Sequence, residues 1–185
     1  MVDDAIAADE AGQGVYTTSQ PETTVGELPA AVAAKVNTSA VVSDYAGSYT
    51  GTAVLTMDNA ELLLSVGMVP PGDAAALKAM LGKPFPATAE VDEDYDRVEI
   101  SAPLPAPFDS DLGETFYLDD DMVNVNGVWT NTEDQSGEQD GVTMAMRGVQ
   151  KIALLSDGGI YILISAEMNI GGEMGVMELR FELTR

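Results

Sequence analysis

Met174-Gly175-Val176-Met177-Glu178-Leu179-Arg180-Phe181-Glu182-Leu183-Thr184 lies near the end of the chain, and its alternation decides the fold class. Met177, Leu179, Phe181 and Leu183 fall on one side of an extended chain; Glu178, Arg180, Glu182 and Thr184 fall on the other. Successive side chains of a strand point to opposite faces, so the pattern asks for one face in a core and one in water. Working back, Ile160–Ile170 and Val142–Leu155 read as two more strands. The turns between them are Gly171-Gly172-Glu173 and Ser156-Asp157-Gly158-Gly159, so the C-terminal end is an antiparallel meander.

Further upstream, Tyr45–Met57 is a strand, with Tyr49, Gly51, Ala53, Leu55 and Met57 on one face and Thr50, Thr52 and Thr56 on the other. Asp58-Asn59 is expected to turn the chain into a returning strand at Glu61–Val66. Asp73 precedes a short helix over Ala74–Leu81, with Gly82 as its stop, and that helix is a candidate lid or wall-packing element. Ala87–Val91 and Asp96–Ala102 form a hairpin. The segment Asp109–Glu114 reads as a loop, Thr115–Leu118 as a short strand, Asp119-Asp120-Asp121 as a turn and Met122–Thr130 as a strand. Asn131–Gly141 is expected to be a polar, exposed connection. The sum is an all-β protein: an antiparallel up-and-down barrel of about 8–10 strands with one short helix, the alternative being a β-sandwich. Residues 1–27 are polar and acidic and read as a flexible arm. Residues 28–44 are a short helix or an extended arm, and residues 45–185 are the β-barrel domain.

Composition removes many chemistries. The 185 residues carry 8 Lys+Arg against 31 Asp+Glu, a formal charge of −23. Such a chain repels phosphate backbones and anionic lipid heads, which argues against nucleic acid and membrane surfaces as partners. No apolar run reaches the roughly 18 residues of a membrane helix. Cysteine and histidine are both absent. Disulfides, the common zinc, copper and haem ligand sets, and Ser-His-Asp or Cys-His triads are therefore excluded. Among metals only a hard cation such as Ca²⁺ suits the remaining oxygen ligands. Asp109, Asp111 and Glu114 have the suggestive spacing, against the plainer reading of solvated loop charges. Paired carboxylates are plentiful but aromatics are only 6%, which argues against a sugar-cleaving cleft. The expectation is a non-catalytic protein without a cofactor. If the barrel is hollow, Trp129, Met144, Met146, Ile162 and Ile164 are the candidates to line its cavity, flexible thioethers being suited to apolar pockets. A side-chain-filled core is the competing expectation.

Tyr45-Ala46-Gly47-Ser48-Tyr49-Thr50-Gly51-Thr52 resembles the first strand of calycin-like β-barrels. These are the lipocalins and, through the Gly-x-Tyr-x-Gly pattern, the small secreted calycin-like proteins of Bacteroidetes. The resemblance implies a closed barrel in which Gly47 and Tyr49 stand at one end, with a basic residue near the C-terminus, Arg180, stacked on the ring. It also implies a small apolar ligand inside, and no catalytic residue. The opening Met1-Val2-Asp3-Asp4 lacks the basic and apolar regions of a signal peptide. The polar leader nonetheless suits an extracellular or cell-surface protein in mature form. The functional expectation is a secreted or surface-tethered protein that binds a small apolar ligand. The alternatives are an assembly subunit that self-associates by donating Ala30–Val42 as a strand, or an acidic Ca²⁺-binding or salt-adapted domain.

Overall fold

The structure is a computed structural model that describes residues 26–65, 72–104, 111–139 and 142–185. Among the described residues nine strands form one sheet: β1 Gly47–Asp58, β2 Pro84–Asp92, β3 Arg97–Pro103, β4 Asp111–Tyr117, β5 Val123–Val125, β6 Val128–Gln139, β7 Val142–Leu154, β8 Ile160–Ile170 and β9 Glu173–Thr184. Their order is β4-β3-β2-β1-β9-β8-β7-β6-β5, and neighbouring strands run antiparallel. Strands adjacent in the chain pair in every case but one, β4 with β5. The first strand pairs with the last, Thr50 opposite Thr184 through Asp58 opposite Val176. The protein is thus an all-β, antiparallel, barrel-like fold; a single sheet replaces the two layers of a sandwich.

Among the described residues four short α-helices accompany the sheet: α1 Ala30–Ala33, α2 Ala60–Ser65, α3 Ala74–Met80 and α4 Leu118–Asp121. Four sequence expectations are corrected here. The returning strand placed at Glu61–Val66 is instead α2, and residue 66 lies outside the described residues. Asn59 takes a left-handed φ of 51°, and a short apolar run such as Leu62-Leu63-Leu64 has no period that separates strand from helix. Tertiary packing decides the matter: Leu63 is buried, and a Cβ at Gly175 would come within 2.8 Å of its side chain. The loop expected over residues 109–114 gives way at Asp111 to β4, and the polar connection expected over residues 131–141 is β6 as far as Gln139. In both, backbone pairing with β3 or β7 makes a strand that polar side chains disguise. The strand expected over Met122–Thr130 is split into β5 and β6 by Asn126-Gly127, whose φ values of 53° and 82° suit a tight hairpin turn.

The inward face carries one continuous apolar cluster. Tyr49, Ala53 and Leu55 of β1 meet Phe181 and Leu179 of β9, then Ile160 and Ile162 of β8, Ile152 of β7 and Trp129 of β6. On the other flank Phe85, Val91, Val98, Ile100 and Phe116 continue it through β2, β3 and β4, while Leu77 and Met80 bring α3 against it.

The outer face is not all water-exposed, which the alternation of β9 had suggested. Leu28, Val32 and Val36 pack over Ala153, Leu155, Tyr161 and Leu163. The Gly26 amide donates to Glu178 Oε1 at 3.4 Å, and Val36 bridges to Leu155. This covering explains why Ile160-Tyr161-Ile162-Leu163 is apolar on both faces. It also occupies part of Ala30–Val42, the segment considered above for donation to a neighbour.

The barrel end near Gly47 is closed by a cation over an aromatic ring, but the cation is Arg185, not Arg180. Arg185 lies 5.5 Å from the Tyr49 ring centroid and donates to the Tyr49 hydroxyl at 3.1 Å and to the carbonyls of Asp44 and Ala46. Arg180 occupies the opposite register of β9, on the outer face, paired with Glu178. Tyr49 and Tyr45 then relay the closure: Tyr49 donates to the Tyr45 carbonyl at 2.7 Å, and the Tyr45 hydroxyl donates to the Leu155 carbonyl at 2.7 Å. Asn37 donates its side-chain amide to the Tyr45 hydroxyl at 3.2 Å.

Two stability predictions follow from this packing. A Cβ at Gly51 would stand 2.0 Å from the Glu182 carbonyl oxygen, inside the β1–β9 pairing. Gly51→Ala is expected to lower unfolding free energy by about 3 kcal/mol. Gly113→Ala, whose Cβ meets nothing closer than 3.9 Å, leaves the urea midpoint nearly unchanged. Tyr161 is 1% exposed, and its hydroxyl has no hydrogen-bond partner among the described residues. Tyr161→Phe should therefore raise stability by about 1 kcal/mol in the same urea titration. Burial pushes this hydroxyl up to about 12. The fold thus loses stability as pH rises from the ordinary value of 10.0 through that point, and the Phe variant is spared that loss.

Candidate functional site

The one missing neighbour pair, β4 with β5, leaves a seam in the sheet. The three residues of β5 pair only with the segment Val128–Thr130 of β6. Among the described residues the edge of β6 from Asn131 onward faces no strand, and β4 pairs only with β3. Between these edges lies a cleft of about 550 Å³. Its walls are Glu114, Thr115, Phe116 and Tyr117 from β4, Asp120 and Asp121 from α4, then Met122, Asn131, Glu133 and Gln150.

The sheet register explains these positions. Glu114 stands opposite Ile100 on β3, two residues from the buried Phe116. Asn131 and Glu133 follow Trp129 on the same side of β6, and Gln150 follows Ile152 on β7, opposite Asn131. Thus the inward face changes, within one step along each strand, from large apolar groups to polar ones. The Gln150 side-chain amide donates to Glu114 Oε1 at 2.9 Å, a bond that spans the seam.

The seam is strongly anionic. Glu114, Asp120, Asp121 and Glu133 line it, and no Lys or Arg is among its walls. Burial pushes the Glu114 carboxyl above its ordinary value, with the bond from Gln150 acting in the opposite direction. At the foot of α4, burial and the neighbouring Asp119 and Asp120 likewise push Asp96 up. Such an arrangement attracts a cation or a donor-rich group.

Of the three proposed metal ligands, Asp111 and Glu114 do not converge. Asp109 lies outside the described residues. Asp111 and Glu114 are three apart on an extended strand, so they point to opposite faces. Asp111 accepts from Ser101 Oγ at 2.5 Å while Glu114 is held by Gln150. The ion-wrapping loop assumed for them is replaced by β4, and no group of three or more possible ligands is gathered among the described residues.

The five proposed cavity residues are likewise dispersed. Trp129 and Ile162 are buried in the main cluster and Ile164 packs at its margin. Met144 and Met146 are half-buried farther along β7, Met146 beside a second depression of about 420 Å³ shared with Asp134, Arg147 and Glu167. None of the five lines the seam. The Trp129 indole N–H is buried without a hydrogen-bond partner among the described residues. The residues that do form the cleft were hidden because residues 131–141 read as a connection; with β6 recognised, the alternation Trp129-x-Asn131-x-Glu133 is the signal.

No family model matches the chain, and no curated protein matches it. Among solved structures it is similar to secretory abundant heat soluble protein 4 from Ramazzottius varieornatus. That likeness has 13% identity and a TM-score of 0.29 over 75% of this chain and 94% of that one. A superposition this loose carries no argument about function. No described helix is long and apolar enough to cross a membrane.

The raised Glu114 carboxyl has a pH consequence. Its contribution favours the fold below the ordinary value of 4.5 and is lost as pH rises through the raised value. Glu114→Gln keeps an acceptor for Gln150 without the buried charge. It is expected to raise the melting temperature at pH 7, with the gain over the parent closing as pH falls below 4.5. Melting curves of both proteins across that range check this.

Proposed function

We propose that this chain is a non-catalytic binding protein, secreted or surface-tethered, that receives its ligand at the seam between β4 and β6. The observation that carries the reading is the break in an otherwise continuous meander, with a cleft of about 550 Å³ where the pairing fails. Recesses of this size suit small ligands or segments of larger ones. The apolar ligand expected from the resemblance would find Phe116 and Met122 there, amid carboxylates and amides. A ligand with positive charge beside an apolar part matches both kinds of wall. Charge complementarity from a chain of formal charge −23 would also speed the approach of such a ligand.

Three probes of equal chain length test this: dodecylamine, dodecanol and dodecanoate, titrated into the isotope-labelled full chain and followed by amide NMR. The amine is expected to shift resonances of Phe116, Met122, Asn131 and Gln150, weakening with added salt, and the carboxylate to leave them in place. Shifts centred on Trp129 and Ile162 would move the ligand into the barrel interior. No response to any probe would remove the seam as a small-ligand site.

A further inference from the structure

We infer that the seam takes up an extended basic peptide segment from another protein, added as a strand alongside β4; this rests on the seam being the binding site proposed above. Three observations lead there. First, the cleft is flanked by strand edges. Among the described residues β4 is hydrogen-bonded to β3 alone, and β6 beyond Thr130 to β7 alone. An unpaired edge presents a row of backbone N–H and C=O groups, which is the template for strand addition.

Second, three of the devices that blunt an open strand are missing from these edges. Such strands are commonly protected by lysine, proline or a bulge. β4, Asp-Leu-Gly-Glu-Thr-Phe-Tyr, has no Lys and no Pro, and its register with β3 runs unbroken from Tyr117 to Asp111. β6 from Asn131 to Gln139 has no Lys, Arg or Pro either. Both are guarded by negative charge only, which selects by sign: it repels acidic chains and admits basic ones.

Third, the charge names the occupant. Glu114, Asp120, Asp121 and Glu133 converge on the cleft without a basic residue among its walls. A second copy of this chain, with 8 Lys+Arg against 31 Asp+Glu, does not supply the complement. A foreign segment with Lys or Arg at alternate positions does. In an added strand alternate side chains point inward, so those cations would reach Glu114 and Glu133 while the intervening residues stay outside. The seven residues of β4 set the length of the segment.

The test uses the full chain and a capped peptide of about seven residues alternating Lys and Val, matched in length to an added strand. Its two controls are the Glu-Val counterpart and the same Lys-Val peptide N-methylated at alternate amides. The Lys-Val peptide is expected to bind, to protect outward-pointing amides of β4 from hydrogen exchange, and to weaken about tenfold or more on moving from low to physiological salt. N-methylation, which removes edge hydrogen bonds and keeps the charge, should cost a further factor of about ten. The double variant Glu114→Gln, Glu133→Gln should lose binding by about tenfold, with circular dichroism checking its fold and Lys35→Ala as a remote control. If dodecylamine binds the seam and the peptide does not, strand addition is overturned and the site reading stands. If neither binds, both fall. Equal binding of the N-methylated peptide, or protection that leaves β4 untouched, overturns strand addition as well.

Discussion

The pairing of β1 with β9 is the constraint on which the rest of the molecule depends. It joins residues about 130 apart in sequence, from Thr50 with Thr184 to Asp58 with Val176, and it converts two separate meanders into one sheet. One flank, β2 to β4, hangs from β1; the other, β8 to β5, hangs from β9. Such a non-local pairing carries a loop-closure cost that local hairpins escape, and the surrounding chemistry offsets it. Gly51 lets the two backbones approach where any side chain would strike the Glu182 carbonyl. Phe181 buries its ring opposite Ala53. Arg185 then bonds across the end to Tyr49 and to carbonyls just ahead of β1.

Closure at β1–β9 also decides where the sheet stays open. With consecutive strands paired all round and the two termini joined, the remaining discontinuity falls between β4 and β5. There α4 and a three-residue strand stand in for a full partner. The polar side chains at the seam follow from that opening. A carboxylate at position 114 in a closed barrel would face apolar neighbours with no compensation. At the seam it is only partly removed from water and holds the amide of Gln150. The same reasoning sets the other end of the structure in contrast. Between Trp129, Ile152, Ile162 and Phe181 the inward face is packed apolar surface, so this end lends rigidity and the seam lends recognition.

Legibility in the sequence varied from element to element. Strands with one buried face were readable: Phe181 and Leu183 alternate with Glu182 and Thr184, and the hairpin glycines between β7, β8 and β9 mark the turns. From Asn131 onward β6 was unreadable as a strand because its side chains are polar, and its pairing with β7 is a backbone matter that leaves no trace in hydrophobic period. Arg180 and Arg185 illustrate a subtler limit. Both are basic and both lie near the C-terminus, but five positions along a strand changes the face. Arg180 thereby stands outside with Glu178, while Arg185, beyond the last residue of β9, turns over Tyr49. The acidic residues of the seam were visible one by one; Glu114 drew notice as a possible cation ligand. Their convergence with Asn131, Glu133 and Gln150 was not visible, since β4, β6 and β7 meet there only through the curl of the sheet.

The amino-acid sequence by itself determined the class of this protein: local alternation dictates antiparallel strands, and a composition without cysteine or histidine and with a formal charge of −23 removes thiol and imidazole chemistry and sets the sign of the surface. These are properties of residues and their immediate neighbours, so they survive without knowledge of the fold. The tertiary structure alone decided which strands border each other, that the break lies between β4 and β5, and which carboxylates share a cleft. Those outcomes depend on pairing between distant segments and on the curvature of the completed sheet, and neither is encoded within any single stretch of the chain.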